Sequence, residues 1–335
     1  MSNIFESEDS MGHRYVVTAP GQGVQRPGML DPWLEAVPGA PELVDAWSRE
    51  AGFDLVGAGR DETLLADTAY AQPLIVAVSV LAHQLLFSRL RLRSDEVLFA
   101  GHSVGELAAA AGAGHLDPGT AVALARVRGA AMSQACGCAP SGMAAVMPTK
   151  RGGASDEEIA AAVAAAGLTV ANHNGSHQFV AAGPADRVAA LADAPPPGTR
   201  VAPLNVAGAF HTESMAAAVP AFARAVHAAR FTEPASVMVG NGDGATVTDP
   251  DELRIRLITQ ITSPVRWDLC GETIARLAAP DALHVELAPA GPLTRLLQRS
   301  RPDARAVAVA APEDIDRVVS EAGADARLPE PAGAR

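Results

Sequence analysis

Residues 96–113 read Glu96-Val-Leu-Phe-Ala-Gly-His-Ser-Val-Gly-Glu-Leu-Ala-Ala-Ala-Ala-Gly-Ala113. The apolar run 96–100 predicts a strand, and the alanine-rich run 103–113 predicts a helix. Between them, Gly101-His-Ser-Val-Gly105 has to make the turn. A serine on such a turn is pushed into a strained, exposed position, and glycines are needed for the backbone to pack closely around it. Its oxygen then lies at a helix N-terminus, where N–H groups can hold an oxyanion. The five-residue pattern alone is weak, because it arises by chance in glycine-rich chains. Set between a strand and a helix, it makes Ser103 a candidate nucleophile.

The pattern continues outward from this turn. Tyr15-Val-Val-Thr-Ala19 predicts a strand leading into the glycine-rich turn Pro20-Gly-Gln-Gly23, and helical patterns cover residues 30–50 and 60–90. Asp117 caps a further helix, with Pro118 in its first turn, that runs to about residue 135. Alternating strands and helices imply a mainly parallel sheet covered on both faces. Residues 141–206 differ: strand 143–147, helix 156–166, strands 168–172 and 178–182, helix 184–192 and strand 200–206. That βαββαβ order is the ferredoxin-like signature. Helical character returns at 212–230, and strands are expected near 236–240 and 283–287. The expected fold is α/β: an α/β-hydrolase-like large domain with a parallel sheet (13–138 and 207–318), carrying an inserted ferredoxin-like small domain (139–206). Residues 1–12 read as a disordered N-terminal extension, with Met11 a second plausible start, and 319–335 as a flexible tail.

Composition limits the function classes. With 335 residues, two domains or one domain with an insertion are expected, and 48% apolar residues supply a large core. Aromatics are only 4%, so Ala, Val and Leu fill that core. The single lysine, Lys150, stands against 25 arginines, a bias that reads as a GC-rich coding genome. The net charge of −12 and the lack of a basic stripe leave no footprint for nucleic acid. Cys136, Cys138 and Cys270 form no disulfide framework and no metal-ligand spacing, which fits a reduced cytoplasmic setting. The longest apolar run, 71–87, is broken by Gln72, His83 and Gln84, so it reads as a core helix rather than a membrane span. The acidic first ten residues lack the apolar segment of a signal peptide.

A serine nucleophile needs a base. Of nine histidines, His211 stands directly before a helical pattern, where the helix dipole disfavours imidazolium and keeps a neutral base available. It reads equally as a histidine that caps that helix. His102, His115 and His227 read as packing or surface residues, and His173 and His177, separated by a turn, do not make a helical metal pair. Arg128 falls on the apolar stripe formed by Leu124, Ala131 and Met132, whereas Arg126 projects elsewhere into solvent. A buried guanidinium demands an anion. That anion is a structural Asp or Glu, or a substrate carboxylate held by two parallel hydrogen bonds.

Together these segments resemble the malonyl-CoA:acyl carrier protein transacylases of fatty-acid synthesis and the acyltransferase domains of polyketide synthases. The resemblance covers roughly residues 14–310. It rests on Pro20-Gly-Gln-Gly-Val-Gln25, the Ser103 turn with Glu106, and Val127-Arg-Gly-Ala-Ala-Met132. It continues through Asn172-His-Asn-Gly-Ser-His-Gln178, Gly208-Ala-Phe-His211, Gln260 with Ser263-Pro-Val-Arg-Trp267, and Glu286-Leu-Ala-Pro289 with Leu293-Thr294. The resemblance implies Ser103 as nucleophile, His211 as base, the Gln260 main-chain carbonyl as its orienter, and Gln22 with the Val104 N–H as oxyanion hole. It implies Arg128 as the grip on the malonyl carboxylate, with Phe210, Gln22, Asn172 and Met132 in the substrate site. Phe210 and Val104 resemble the malonyl-selecting pattern, the bulk of Phe210 leaving no room for an α-methyl group. The implied partners are malonyl-CoA and the phosphopantetheine arm of an acyl carrier protein, with no cofactor or metal, no nucleic acid, no membrane and a monomeric state. One departure is that Ala288-Pro289-Ala290-Gly291 stands where the family has Gly-Pro-Gly, so negative φ is required at both alanines.

Two rivals make different expectations. An α/β-hydrolase-type esterase or thioesterase would use Ser103, Asp268 and His284, in that chain order. A non-catalytic acyl carrier protein binding module would need no nucleophile, base and arginine together.

Overall fold

The strand His13–Ala19 lies at the middle of a six-stranded sheet in a computed structural model that describes residues 12–150 and 153–323. The readings of residues 1–11 and 324–335 lie outside the described residues. Across the sheet the strands are Ala306–Ala308, Ala278–Glu286, His13–Ala19, Val97–Gly101, Val237–Val239 and Thr246–Val247. The first five run parallel and only the last is antiparallel. The fold is therefore mixed α/β with a mainly parallel sheet. Val97–Gly101 is buried at every position, as expected of a central strand with helices on both faces.

The chain leaves His13–Ala19 toward Val97–Gly101 and Val237–Val239, then returns to its other side with Ala278–Glu286. Loops diverge at the carboxyl ends of strands where the order reverses, which opens a crevice there. The turns after Ala19 and Gly101 both enter it. The longest helix, Thr68–Leu90, has the length and hydropathy of a membrane span. Sixteen of its residues are buried, Leu74 to Ala82 without a break, so here it is a core helix. Helix Pro118–Cys136 packs along it. A side chain at Gly129 would stand 2.5 Å from the Thr68 carbonyl, so glycine there permits the close helix approach.

Residues 141–203 form a second sheet. Its order is Thr199–Pro203, Ser141–Pro148, Phe179–Pro184, Thr169–His173, the neighbours antiparallel, with helices Asp156–Ala165 and Ala185–Asp193 between strands in the chain. Successive residues face opposite sides of a strand. Ala144, Val146, Phe179 and Ala181 pack on Ile159, Val163, Val188 and Leu191 of the two helices. Their neighbours Met143, Val180 and Ala182 join the core of the main body instead. A fifth strand, Val265–Arg266, runs parallel to Thr169–His173 and comes from far outside 139–206. This strand joins the second sheet to a later part of the chain.

Several boundaries differ from expectation. Residues 212–230 are a 3-10 turn, Glu213–Ala218, followed by helix Val219–Ala228. Helix Asp314–Ala322 covers the start of the expected tail at 319, because Ile315, Val318 and Ala322 are buried on the body. Ala288 and Ala290 keep negative φ, and Gly291 alone in that turn takes a positive value, 141°.

Candidate active site

The two turns meet because their strands end level. Ala19 pairs with Gly101, and the His102 N–H donates to the Ala19 carbonyl at 3.0 Å. A Cβ at Gly105 would lie 2.3 Å from the Ala19 oxygen, and one at Gly101 would lie 2.2 Å from the Gly105 carbonyl carbon. No side chain fits at either place, which gives the two glycines of the motif a steric reason. Ser103 is thereby held at φ 54°, a left-handed conformation that costs a non-glycine residue on the order of 1–3 kcal/mol. Helix Gly105–Ala113 starts two residues later, with Val104 as its N-cap. The Val104 N–H has no hydrogen-bond acceptor among the described residues.

Ser103 Oγ lies 2.7 Å from His211 Nε2, and His211 Nδ1 lies 3.0 Å from the Gln260 carbonyl oxygen. A carbonyl only accepts, so Nδ1 carries the hydrogen and Nε2 presents its lone pair to the serine hydroxyl. His211 is itself left-handed, φ 59°, directly before Thr212, which caps the 3-10 turn. Burial, aided by the Arg128 charge and opposed by the hydrogen bond to Gln260, brings the His211 imidazole down to about 3. The neutral base is thus available throughout the neutral range.

Arg128 is buried beside this pair. Its Nη1 donates to Gln72 Oε1 at 2.8 Å, its Nη2 to Gln260 Oε1 at 2.7 Å, and Nη2 lies 3.4 Å from Ser103 Oγ. Among the described residues no carboxylate forms an ion pair with it. Glu106 acts on it only through space, against a burial effect that lowers Arg128 to about 10. The Asp or Glu partner considered as the ordinary alternative is replaced by two neutral amides. Nη1 keeps a second N–H without an acceptor, and the second N–H of Nη2 reaches only the Ser103 hydroxyl at 3.4 Å, so both terminal nitrogens can turn a hydrogen to an incoming carboxylate.

The remaining candidates gather around this centre. Gln22 Nε2 donates to Thr68 Oγ1 at 3.0 Å, while its Oε1 is buried without a partner. Met132 Sδ accepts from Gln72 Nε2 at 3.5 Å. Phe210 is buried next to His211. Gln22 and Asn172, whose Oδ1 is also buried and unpartnered, line a cleft of about 320 Å³ with His102, Asn174, Leu204, Arg295 and Arg299. A larger cavity, about 360 Å³, holds His284, Asp268 and Trp267. Ser103, His211 and Arg128 line neither space, and the smaller cleft adjoins them through His102, next to Ser103 in the turn, and through Gln22.

Other candidates are not brought together. Asp268 is paired with Arg266 at 2.8 Å, and His284 has no hydrogen bond to Ser103, so the hydrolase-type trio does not assemble. Arg126 is not solvated. It is half-buried, donates to the Ala51 and Ala69 carbonyls, and lies over the rings of Phe53 and Tyr70. Sequence reasoning passed over Gln72, although a polar residue inside a buried apolar run signals an internal partner. It noted Glu106 only as part of a motif. Glu106 is buried under the elbow, where Asn241 N–H and Gln260 Nε2 both donate to it.

An alcohol aligned on a neutral imidazole, an unpaired N–H at a helix start and a half-satisfied buried guanidinium can together perform acyl transfer with an anionic acyl group. Comparison with known proteins agrees with that chemistry. The acyl transferase domain family matches residues 15–311. The malonyl CoA-acyl carrier protein transacylase of Mycobacterium tuberculosis is 43% identical over 304 residues, covering 90% of this chain and 98% of that protein. A crystal structure of MCAT from the same organism superposes with a TM-score of 0.85, at 43% identity, over 91% of this chain and 99% of that one. A type II PKS acyl-carrier protein in complex with its malonyl-transacylase superposes with a TM-score of 0.82 at 26% identity, covering 92% and 99%. On these grounds the chain belongs to the malonyl-CoA:acyl carrier protein transacylase family of acyl transferases.

Proposed function

We propose that this chain transfers the malonyl group of malonyl-CoA to the phosphopantetheine thiol of an acyl carrier protein, by a ping-pong route through a malonyl ester on Ser103. The observation that carries the reading is the buried Arg128, held by two amides and no carboxylate, 3.4 Å from a serine that already touches its base. An enzyme acting on neutral acyl groups has no use for that charge.

Ser103 Oγ attacks the thioester carbonyl while His211 Nε2 takes its proton, and the developing oxyanion is held by the N–H groups of Val104 and Gln22. Coenzyme A leaves with a proton from His211 Nε2. The carrier thiol then gives its proton to the same nitrogen and attacks the ester, and Ser103 recovers its hydrogen from His211. The Gln260 carbonyl keeps the imidazole in one tautomer through both halves. Arg128 binds the malonyl carboxylate, Phe210 and Met132 wall the acyl pocket, and Asn172 in the cleft holds the pantetheine arm. Arg295 and Arg299 on the cleft wall suit the phosphates that follow that arm.

The surrounding architecture fits this assignment: an α/β-hydrolase-like body (13–138 and 207–318) with a ferredoxin-like insertion (139–206) that closes one side of the cleft. In this reading the chain acts as a monomer in the cytoplasm and supplies extender units for fatty-acid or polyketide synthesis.

The test is transfer itself. Protein incubated with malonyl-CoA and a holo acyl carrier protein should yield malonyl carrier, and Ser103→Ala should abolish both the enzyme ester and the product. Product formation at the wild-type rate by Ser103→Ala would refute the route.

A further inference from the structure

Glu106 is a buried carboxylate that takes no part in the steps above, and it is 1% exposed. Both of its oxygens accept. The main-chain N–H of Asn241 donates to Oε1 at 2.8 Å, and Gln260 Nε2 makes a very short contact with Oε2. The second hydrogen of that same Gln260 nitrogen points to the Ser103 carbonyl at 3.2 Å. On the other end of the amide, Gln260 Oε1 receives Arg128 Nη2. The Gln260 main-chain carbonyl receives His211 Nδ1. One glutamine therefore touches all three groups of the site, and its amide has two orientations of which only one serves them.

Chemistry decides between the two. Arg128 has only donors, so the amide oxygen must face it, while the ionised Glu106 carboxylate and the Ser103 carbonyl offer only acceptors to the amide nitrogen. Burial pushes the Glu106 carboxyl up to about 7, and above that pH the carboxylate form prevails. The Asn241 N–H cannot be turned, which commits Glu106 Oε1 to it and leaves Oε2 for Gln260. Asn241 is fixed in turn, since its Nδ2 donates to the Gly101 carbonyl at 3.1 Å. Met132 Sδ performs the same service for the second amide, accepting from Gln72 Nε2 so that Gln72 Oε1 faces Arg128.

We infer that Glu106 is a positioning residue that acts through the Gln260 amide: it holds Arg128 in the orientation that receives the malonyl carboxylate, and so sets the preference for malonyl over uncharged acyl groups. The inference rests on the assignment of Arg128 to that carboxylate. Glu106→Gln keeps the size and removes the logic. Its new amide nitrogen must face either the immovable Asn241 N–H or the Gln260 nitrogen. In both cases a donor meets a donor, and Gln260 can relieve the clash only by turning its NH₂ toward Arg128.

The experiment measures enzyme-ester formation from malonyl-CoA and from acetyl-CoA for the wild-type chain, Arg128→Ala, Glu106→Gln, Gln260→Met, and Glu106→Gln combined with Gln260→Met. For Glu106→Gln the malonyl-to-acetyl rate ratio should fall by about tenfold or more, because an oriented charged pair is lost. Gln260→Met keeps the main-chain carbonyl for His211 and should lower the ratio by a similar factor. The double variant should add nothing further to the change in ratio, since the two residues act in series. A purely structural role would slow both substrates together. A ratio within twofold of wild type in Glu106→Gln overturns the relay, and if that variant does not fold, the same result in Gln260→Met overturns it. If Arg128→Ala also leaves the ratio unchanged, the carboxylate assignment fails instead. A collapse with Arg128→Ala but not with the other variants removes the relay alone.

Discussion

Ser103 Oγ and His211 Nε2 stand 2.7 Å apart across 108 positions of chain, and both residues hold a left-handed backbone, φ 54° and 59°. Two non-glycine residues in that region facing each other mark a site whose geometry is imposed by its surroundings. On the serine side the constraint is Gly105 against the Ala19 carbonyl. On the histidine side it is the Gln260 carbonyl below and the capped turn at Thr212 beyond.

The two histidines of the rival readings make opposite predictions. His211→Ala should reduce ester formation from malonyl-CoA by about 10³-fold or more, the usual cost of losing a base that acts as a unit with its nucleophile. His284→Ala, on the strand Ala278–Glu286 and facing another cavity, should stay within about threefold of wild type. Single-turnover kinetics on both variants decide it, and a selective loss with His284 would reinstate the hydrolase-type trio.

Gly105→Ala tests the steric account of the elbow. The added methyl group meets main chain, not a side chain that could swing away, so the turn must lift from the strand. We expect a loss of at least about 2 kcal/mol in unfolding free energy together with loss of ester formation. A variant of normal urea midpoint and normal activity would show that the glycine is dispensable.

Much of this arrangement was legible in the chain. The strand and helix around Ser103 follow from an apolar run, a glycine-flanked turn and an alanine-rich run, and Arg128 is given away by a charge on the stripe of Leu124, Ala131 and Met132. The pairing of Ser103 with His211 was not legible from spacing, since the contact spans the strands and helices of residues 141–203 and the position of His211 fits a cap equally well. Short or strongly amphipathic elements in the last third were missed, among them helices Trp267–Leu277 and Pro292–Ser300 and strand Val265–Arg266. A two-residue strand has no periodicity to read, and its existence depends on the edge of Thr169–His173 that it completes. Arg126 was misjudged because a helical wheel does not reveal the aromatic pair brought over it, Phe53 from the turn after helix Ala40–Ala51 and Tyr70 from helix Thr68–Leu90.

Buried neutral histidines give the fold a predictable acid sensitivity. Burial lowers His83 and His284 to about 4 and His211 to about 3, from an ordinary 6.5. The unfolded chain binds a proton at each below about pH 6.5 while the folded chain does not, so stability falls as the pH drops from there toward 4. The limiting slope is about 1.4 kcal/mol per pH unit for each histidine. Urea unfolding at pH 6.5 and 5 should show this decline, and His284→Gln should lessen it by up to about 2 kcal/mol. An identical decline in that variant would remove His284 from the account.

The charge of Arg128 carries the reading of this site as one for an acyl group with a carboxylate. Intact-mass measurement of the chain after brief exposure to malonyl-CoA or acetyl-CoA, for wild type and Arg128→Ala, tests it directly. The wild-type protein should gain one malonyl group on Ser103 and react poorly with acetyl-CoA, whereas Arg128→Ala should lose most of that preference, about tenfold to a hundredfold. If Arg128→Ala keeps the wild-type preference for malonyl, the central claim is contradicted.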